Sequence, residues 1–458
     1  MALYARVIVD VAPDHLDRPF DYEVPAGADV AVGQRVRVVF AGRRRDAWVV
    51  ELATEPSADA KRVRPLVALH AREFDAEDFS FLRWVAQRYA APLAAVLRHA
   101  VPDRSAVAER AAAGWPSPVP ALPAERAPCP SDAWRDYDGS ALLNACWRGE
   151  PGAFYLRPLP GTDRAALVGD LVARALAAGR GAVVLAPDPA SEIPDAALAQ
   201  DPGGVDYRDE GARYAGFLRG RAGLARVAVG ERSAVFAPVA DLGLVVVEDE
   251  ANAAFKERRS PRHHAREVAL ARAHFAGAVC VLVGDVPSAR AWRLRADGHV
   301  RMVQAARAVE RERAPLVHVV DLSDPRPGTR RGRLHERTVR AIGEALGSGG
   351  AAVVLTGRRG EGGALACRGC GLRRPCPVCA GPVGPVADAP APGVAGWACG
   401  VCDWSGPTFA CPACGRDEVA PLAAGVARMA AELQRANPAV EVVRMEGFDA
   451  PGPASRPA

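Results

Sequence analysis

The residues best equipped for chemistry are cysteines. Eight of the eleven lie between Cys367 and Cys414, as four CxxC steps: Cys367/Cys370, Cys376/Cys379, Cys399/Cys402 and Cys411/Cys414. A two-residue gap lets a tight turn aim both sulfurs at one point, and tetrahedral Zn²⁺ takes four thiolates at about 2.3 Å. Eight sulfurs make two closed Cys₄ sites. Closed sites leave no position for water or substrate, so the two Zn²⁺ ions are expected to fold the chain rather than to react. Five residues separate Cys370 from Cys376, a short span for the first two steps to fold onto one ion, whereas nineteen lie between Cys379 and Cys399. Nesting is therefore favoured, with Cys376, Cys379, Cys399 and Cys402 on an inner ion and Cys367, Cys370, Cys411 and Cys414 on an outer one. Disulfides of a secreted chain are the competing use. No signal peptide or transmembrane run precedes these cysteines, and clustered CxxC steps in an intracellular chain point to metal.

The elements that must carry such a module follow from length and pattern. The 458 residues, 49% of them hydrophobic, suffice for several ordinary cores, and the formal charge of +4 announces no particular partner. Basic residues are nearly all arginine, lysine occurring only at Lys61 and Lys256, a bias consistent with GC-rich codons. Residues 2–66 form a β-rich unit. Val36–Phe40 and Trp48–Leu52 are expected as hairpin strands around a polar turn at Gly42–Arg45. Phe79–Ala100 has helical spacing, with Phe81, Leu82, Val85, Tyr89 and Val96 on one side. Six prolines between Pro116 and Pro130 mark a stiff linker. From about Tyr137 to Ala306 the apolar runs Ala182–Pro187, Leu242–Val247 and Val279–Gly284 alternate with helical stretches, which predicts a mostly parallel α/β sheet. A helix from Leu334, short strands at Ala351–Leu355 and Val440–Met445, and a helix over Val426–Ala436 complete the expectation.

Three runs, LDRPFDYEVP from Leu16, GQRVRVVF from Gly33 and LRWVAQRYAAPLAAVLRHAVP from Leu82, together resemble the amino-terminal DNA-end-binding domain of the PriA family of replication-restart proteins. VGERSAVFAPVADLGLVVVEDEANAAFKE from Val229, followed by RHHAREVALARA, is similar to the stretch around that family's DEEH box. The resemblance implies a multidomain α/β protein. It consists of a 3′ DNA-end-binding domain over residues 1–103, a linker over 104–136, a RecA-like superfamily 2 helicase lobe over 137–325, the start of a second lobe over 330–366, the zinc module over 367–414 and a second-lobe remainder over 415–458. In the family the first domain grips the 3′ end of a nascent strand at a fork. Carried over, Phe20, Asp21 and Tyr22 line the pocket, beside the backbone at Ala41, where the family has glycine, and the basic side chain of Arg64. An aromatic platform stacks a base, and a carboxylate accepts the proton of a terminal hydroxyl while repelling a terminal phosphate.

The resemblance also shows what is missing. Phosphoryl transfer from ATP needs a glycine loop around the phosphates, a lysine on their oxygens and a hydroxyl on Mg²⁺. The matching run here is Leu159-Pro160-Gly161-Thr162-Asp163-Arg164-Ala165, so Arg164 replaces the lysine and Ala165 has no hydroxyl. The acidic box has become Glu248-Asp249-Glu250-Ala251 and the coupling motif Gly284-Asp285-Val286-Pro287. Neither Lys61 nor Lys256 lies in a glycine-rich loop. No catalytic residue is expected, and the lobe is a degenerate one kept for shape and surface. His263 and His264, adjacent on what the pattern makes a helix, are structural or DNA-facing rather than metal ligands. The resemblance implies a cytoplasmic, nucleoid-associated protein that binds forked DNA, with primosome proteins, the replicative helicase or its loader and single-stranded DNA-binding protein as partners and no membrane. The zinc module, with Arg368, Arg373, Arg374, Trp397 and Trp404, offers a partner surface, although both tryptophans equally suit a hairpin core. Two other functions stay open: an active ATP-dependent 3′–5′ helicase, and a zinc-stapled scaffold that binds no DNA.

Overall fold

Period-two patterning builds the amino-terminal region. The computed structural model describes residues 2–11, 13–57, 63–118, 123–320, 330–331, 334–355, 365–367, 369–370, 372–381, 383–385, 397–399, 401–406, 411, 413–421 and 426–445. Strands β1 (Tyr4–Val9), β2 (Phe20–Glu23), β3 (Gln34–Phe40), β4 (Arg43–Ala53), β5 (Arg64–Pro65) and β6 (Ala68–Arg72) form a sheet in the order β5-β2-β1-β4-β3-β6. Alternate residues Val7, Tyr22, Val36, Val38 and Val49 share one core. Ile8 and Trp48 face the other way, into the core beneath the helices that follow. The hairpin turn differs from the expected Gly42–Arg45. It is the pair Ala41 (φ +48°) and Gly42 (φ +77°), because a two-residue hairpin needs both central residues at positive φ to match strand twist. Arg43–Arg45 accordingly belong to β4.

The expected helix over Phe79–Ala100 is two: α1 (Asp78–Arg88) and α2 (Leu93–Ala100). Ala90 at φ +46° ends the first helix and Pro92 stands at the N-cap position of the second, since proline has no amide hydrogen with which to continue the first helix. The linker is also more ordered than its composition suggests. Helix α3 (Ala106–Ala112) opens it, and Glu109 binds Arg104, the Ala71 amide and the Tyr214 hydroxyl.

The α/β lobe comprises α4 (Ser140–Arg148), β7 (Gly152–Leu156), α5 (Arg164–Ala177), β8 (Gly181–Leu185), α6 (Ile193–Leu198), β9 (Val205–Asp206), α7 (Arg213–Arg221), β10 (Val227–Gly230), β11 (Leu242–Glu248), α8 (Ala265–Phe275), β12 (Val279–Val283), α9 (Ala289–Ala296), β13 (Arg301–Val303) and α10 (Arg307–Arg313). Its seven strands are parallel, in the order β13-β7-β12-β11-β8-β10-β9. Helices cover both faces: Val183 and Leu185 pack with α7 and α8, while Ala182 and Val184 pack with α5 and α6. This two-sided burial explains the unbroken apolar runs. Residues 1–315 form one compact unit. Within it Glu73, fully buried, accepts from Trp48 Nε1 (2.7 Å), Arg35 (3.2 Å) and the Tyr214 hydroxyl (3.0 Å), and so ties the β-domain to α7.

In the second unit, residues 316–458, β14 (Arg330–Arg331) and β15 (Leu334–His335) precede α11 (Glu336–Gly347). β16 (Leu365–Cys367) then pairs with β17 (Arg373–Arg374) and β21 (Val419–Pro421). Between them β18 (Val383–Pro385), β19 (Trp397–Cys399) and β20 (Ser405–Gly406) form a second small sheet. Helix α12 (Val426–Ala436) follows. Residues 351–355 and 440–445, expected as strands, belong to no ladder, and Val353, Leu355, Val443 and Met445 are exposed. Apolar β-branched residues suit a strand only where a neighbour takes its backbone hydrogen bonds, and no described segment does. Residues 357–360 and Arg368 lie outside the described residues, as does Lys61.

Candidate functional site

Antiparallel pairing of β1 with β2 sets Arg6 opposite Asp21 and Ala5 opposite Tyr22, while β5 sets Arg64 beside Tyr22. Strand alternation therefore splits the expected pocket. Phe20 and Tyr22 share one face. Phe20 is half-buried and meets Phe40 edge-on at 4.9 Å between ring centroids, with the Arg18 guanidinium 4.6 Å from its ring. Tyr22 is buried, and its hydroxyl donates to the Val39 carbonyl at 3.1 Å. Burial raises its pKa, and the neighbouring Arg64 charge pulls the other way. Phe20, Tyr22, Arg64 and the turn at Ala41 thus converge. Asp21 points to the opposite face, where it lies 3.5 Å from Arg6 Nε and accepts from the Ser57 amide at 2.7 Å. Its Oδ1 is buried without a hydrogen-bond donor.

At the carboxyl ends of the parallel strands, β7 leads through Gly161 (φ +73°) into α5. A helix amino terminus there would ordinarily attract an anion. Asp163 already occupies it: its carboxylate accepts from the Ala166 amide at 2.8 Å. The cation is committed as well, because Arg164 pairs with Asp285 at 2.5 Å. Tyr137 closes the loop by hydrogen-bonding Thr162 (3.0 Å) and the Leu159 amide (2.8 Å). Glu248, at the end of β11, accepts from Ser191 at 2.6 Å, and burial raises its pKa. Asp249 sits at φ +45° and accepts from Asn252. Glu250 is fully buried and is held by Arg266 (2.7 Å) and by the Ser288 amide (2.7 Å) and hydroxyl (2.9 Å).

His263 and His264 precede α8 rather than lying on a helix. His264 is its cap, accepting from the Arg266 amide. His263 is fully buried against Tyr89, His99 and Phe236, and desolvation pushes its pKa down to about 3.

The cysteines converge as two sets of four, Cys367/Cys370/Cys411/Cys414 and Cys376/Cys379/Cys399/Cys402, with all sulfurs of a set within 4.8 Å of one another. This is the nested arrangement. The Sγ separations of 3.4 Å (Cys367–Cys414), 3.6 Å (Cys370–Cys411), 3.7 Å (Cys376–Cys402) and 3.4 Å (Cys379–Cys399) approach the about 3.8 Å edge of a tetrahedron with 2.3 Å bonds. Amides of Gly369, Val378, Gly381 and Val401 donate to sulfurs of the sets, and such donors favour thiolates. Cys367 is lowered to about 6, chiefly by the Cys370 backbone. Both sites can hold a metal and leave no fifth group for catalysis. Trp397 and Trp404 are half-buried against the inner set and Val383, so they form the hairpin core.

Residues 6–102 match the model of the PriA 3′ DNA-binding domain. Probable replication restart protein PriA of Mycobacterium leprae is 34% identical over 463 residues, spanning 94% of this chain and 68% of the relative. The chain belongs to the PriA family. The Mycobacterium tuberculosis relative of the same name is 36% identical over 94% of this chain and 67% of its own length. Replication restart protein PriA of Treponema pallidum is 26% identical over 84% and 58% respectively. Among the described residues no helix is long and apolar enough to cross a membrane. Sequence reasoning on this PriA member missed Glu73, Asp163 as a cap, and the cross-brace at Glu250. The Asp163 cap alone left a sequence trace, an acidic residue directly before a helical run.

Proposed function

We propose that this protein recognises the 3′ end of a nascent strand at an abandoned fork and nucleates primosome assembly without hydrolysing ATP. The observation that carries the reading is the convergence of Phe20, Arg64 and the Ala41 turn inside the matched 3′ DNA-binding domain. Phe20 offers the stacking surface and Tyr22 fixes the strand to β3, whereas Asp21, buried on the opposite face against Arg6 and the Ser57 amide, takes no part in holding an end stacked on Phe20. The parallel lobe acts as a degenerate helicase lobe. Asp163 repels a phosphate from α5, and Arg164 is neutralised by Asp285. Two Zn²⁺ ions, held by the two cysteine sets, supply folding free energy to the second unit, whose exposed Arg373 belongs to the face for primosome proteins, the replicative helicase or its loader, and single-stranded DNA-binding protein.

Fork binding tests the pocket. A labelled fork with a free 3′ hydroxyl should bind more tightly than the same fork ending in phosphate, and Phe20→Ala should weaken the binding of both. Equal wild-type affinities would defeat the assignment. Elemental analysis should return two zinc atoms per chain.

A further inference from the structure

Four described arginines of strands β1–β6 have a carboxylate partner. Arg6 holds Glu51 and Asp21, Arg35 and Arg37 share Asp46, and Arg72 pairs with Asp75. The carboxylates are similarly committed: Asp10 binds Arg98, and Asp17 caps α2 through the Leu93 and Ala94 amides. Among the described residues of strands β1–β6 and their loops, five exposed arginines have no carboxylate: Arg18, Arg43, Arg44, Arg45 and Arg64. They are not scattered. Arg18 lies over Phe20, Arg64 is in register with Tyr22, and Arg43, Arg44 and Arg45 stand opposite Phe40, Val39 and Val38.

Cross-strand partners project from the same side of a sheet, and successive residues from opposite sides. Arg43 and Arg45 therefore share the face of Phe40, which touches Phe20. Arg44 projects from the other. Arg43 and Arg45 are about 7 Å apart along the strand, two residues at about 3.4 Å, so the two guanidiniums can reach different phosphates of one nucleic-acid strand. A cluster of unneutralised cations is costly through self-repulsion unless a polyanion completes it.

We propose that Arg18, Arg43, Arg45 and Arg64 form a phosphate clamp for the nucleotides leading to the end held at Phe20, and that Arg44 lies outside it. The clamp reads backbone charge and no base, and it rests on the end-binding reading above. The strand arrives along the β3–β4 hairpin, so its terminal residue reaches the aromatic face in one orientation.

The test uses the full chain and a labelled fork titrated across salt concentrations. Each phosphate contact to a single strand contributes about 0.7 to the slope of log K against log salt. Arg43→Gln/Arg45→Gln should lower that slope by about 1.4, weaken hydroxyl-ended and phosphate-ended forks by the same factor, and leave the thermal melting unchanged. Arg44→Gln should leave the slope as in the wild type. An unchanged slope in the double variant overturns the clamp, as does an equal loss in Arg44→Gln, which would mean only a diffuse field. Loss of polyglutamate binding with an unchanged fork slope would assign the patch to an acidic protein and overturn it too. If wild-type protein binds both fork ends equally, the end pocket fails while the slope still judges the clamp.

Discussion

Two arginine-bearing regions of this chain treat the same side chain in opposite ways. On the β-sheet domain, five exposed guanidiniums have no carboxylate partner among the described residues, and four of them share the face of Phe20. At the strand ends of the α/β lobe, Arg164 is bound to Asp285, Arg266 to Glu250, and Arg157 to Glu310 at 2.6 Å. The first arrangement keeps cationic surface available for an outside anion. The second turns a place where anions are ordinarily bound into a self-satisfied network. Charges that are spoken for internally are committed to the fold, and charges left open remain available to a ligand.

The strongest way to break this contrast is to remove Glu250. Taking one partner from a buried ion pair leaves the other charge uncompensated, at about 3–5 kcal/mol. Glu250→Ala should approach that cost in denaturant unfolding, because Arg266 is almost fully buried and its one remaining described carboxylate, Glu267 at 3.2 Å, is shared with Arg290. A loss under about 1 kcal/mol, the level of a surface ion pair, would show that the lobe's pairs are ornamental.

Next comes the buried imidazole at the junction of α2 and α8. His263 faces His99, Glu257, Arg232 and Lys256, and neither of its ring nitrogens has a described hydrogen-bond partner. Its folded pKa, about 3, lies below the unfolded value of about 6.5. The unfolded chain thus binds the extra proton first. The stability contribution is complete above about pH 6.5 and is lost as pH falls from there toward 3, by up to about 1.4 kcal/mol per unit for this residue. Melting temperatures between pH 7.5 and 5 should fall in the wild type and flatten in His263→Leu. Equal slopes would place the titration elsewhere.

Asp163→Ala sharpens the comparison from the side of function. It should cost about 1 kcal/mol as a lost helix cap, while raising the affinity of the strand-end site for inorganic pyrophosphate. Wild-type protein should show no DNA-stimulated ATP hydrolysis. Hydrolysis lost on changing Glu248 or Asp249 would restore a motor and dissolve the contrast.

How much of this was legible beforehand follows the same division. Patterns carried by spacing survived. The cysteine steps paired as loop lengths demanded, and the apolar runs Ala182–Pro187, Leu242–Val247 and Val279–Gly284 fall on the buried parallel strands Gly181–Leu185, Leu242–Glu248 and Val279–Val283. Local backbone choices were less visible. Nothing in Phe40-Ala41-Gly42 says that Ala41 takes positive φ, and the break at Ala90 interrupts a continuous helical pattern. Least legible were long-range polar partners. Glu73 and Tyr214 meet across 141 residues and Arg164 and Asp285 across 121, and sequence pattern has no period for such pairs. The exposed strand candidates at 351–355 and 440–445 show the converse, composition favouring a strand where no described neighbour accepts it.

The smallest expected effect is on the stability of the open arginines themselves. Exposed side chains away from caps and networks usually change stability by under 0.5 kcal/mol. Arg43, Arg44 and Arg45 are consecutive like charges with no carboxylate partner among the described residues. Replacing any one by glutamine should thus leave unfolding free energy unchanged within that margin, or raise it slightly as self-repulsion falls. The same residue type differs by several kcal/mol between the two regions, because burial and a committed partner make a guanidinium structural whereas exposure leaves it functional. A loss above about 1 kcal/mol from Arg44→Gln would mean that the hairpin arginines hold the fold, and the distinction between paired and open charge would no longer locate a ligand surface in this molecule.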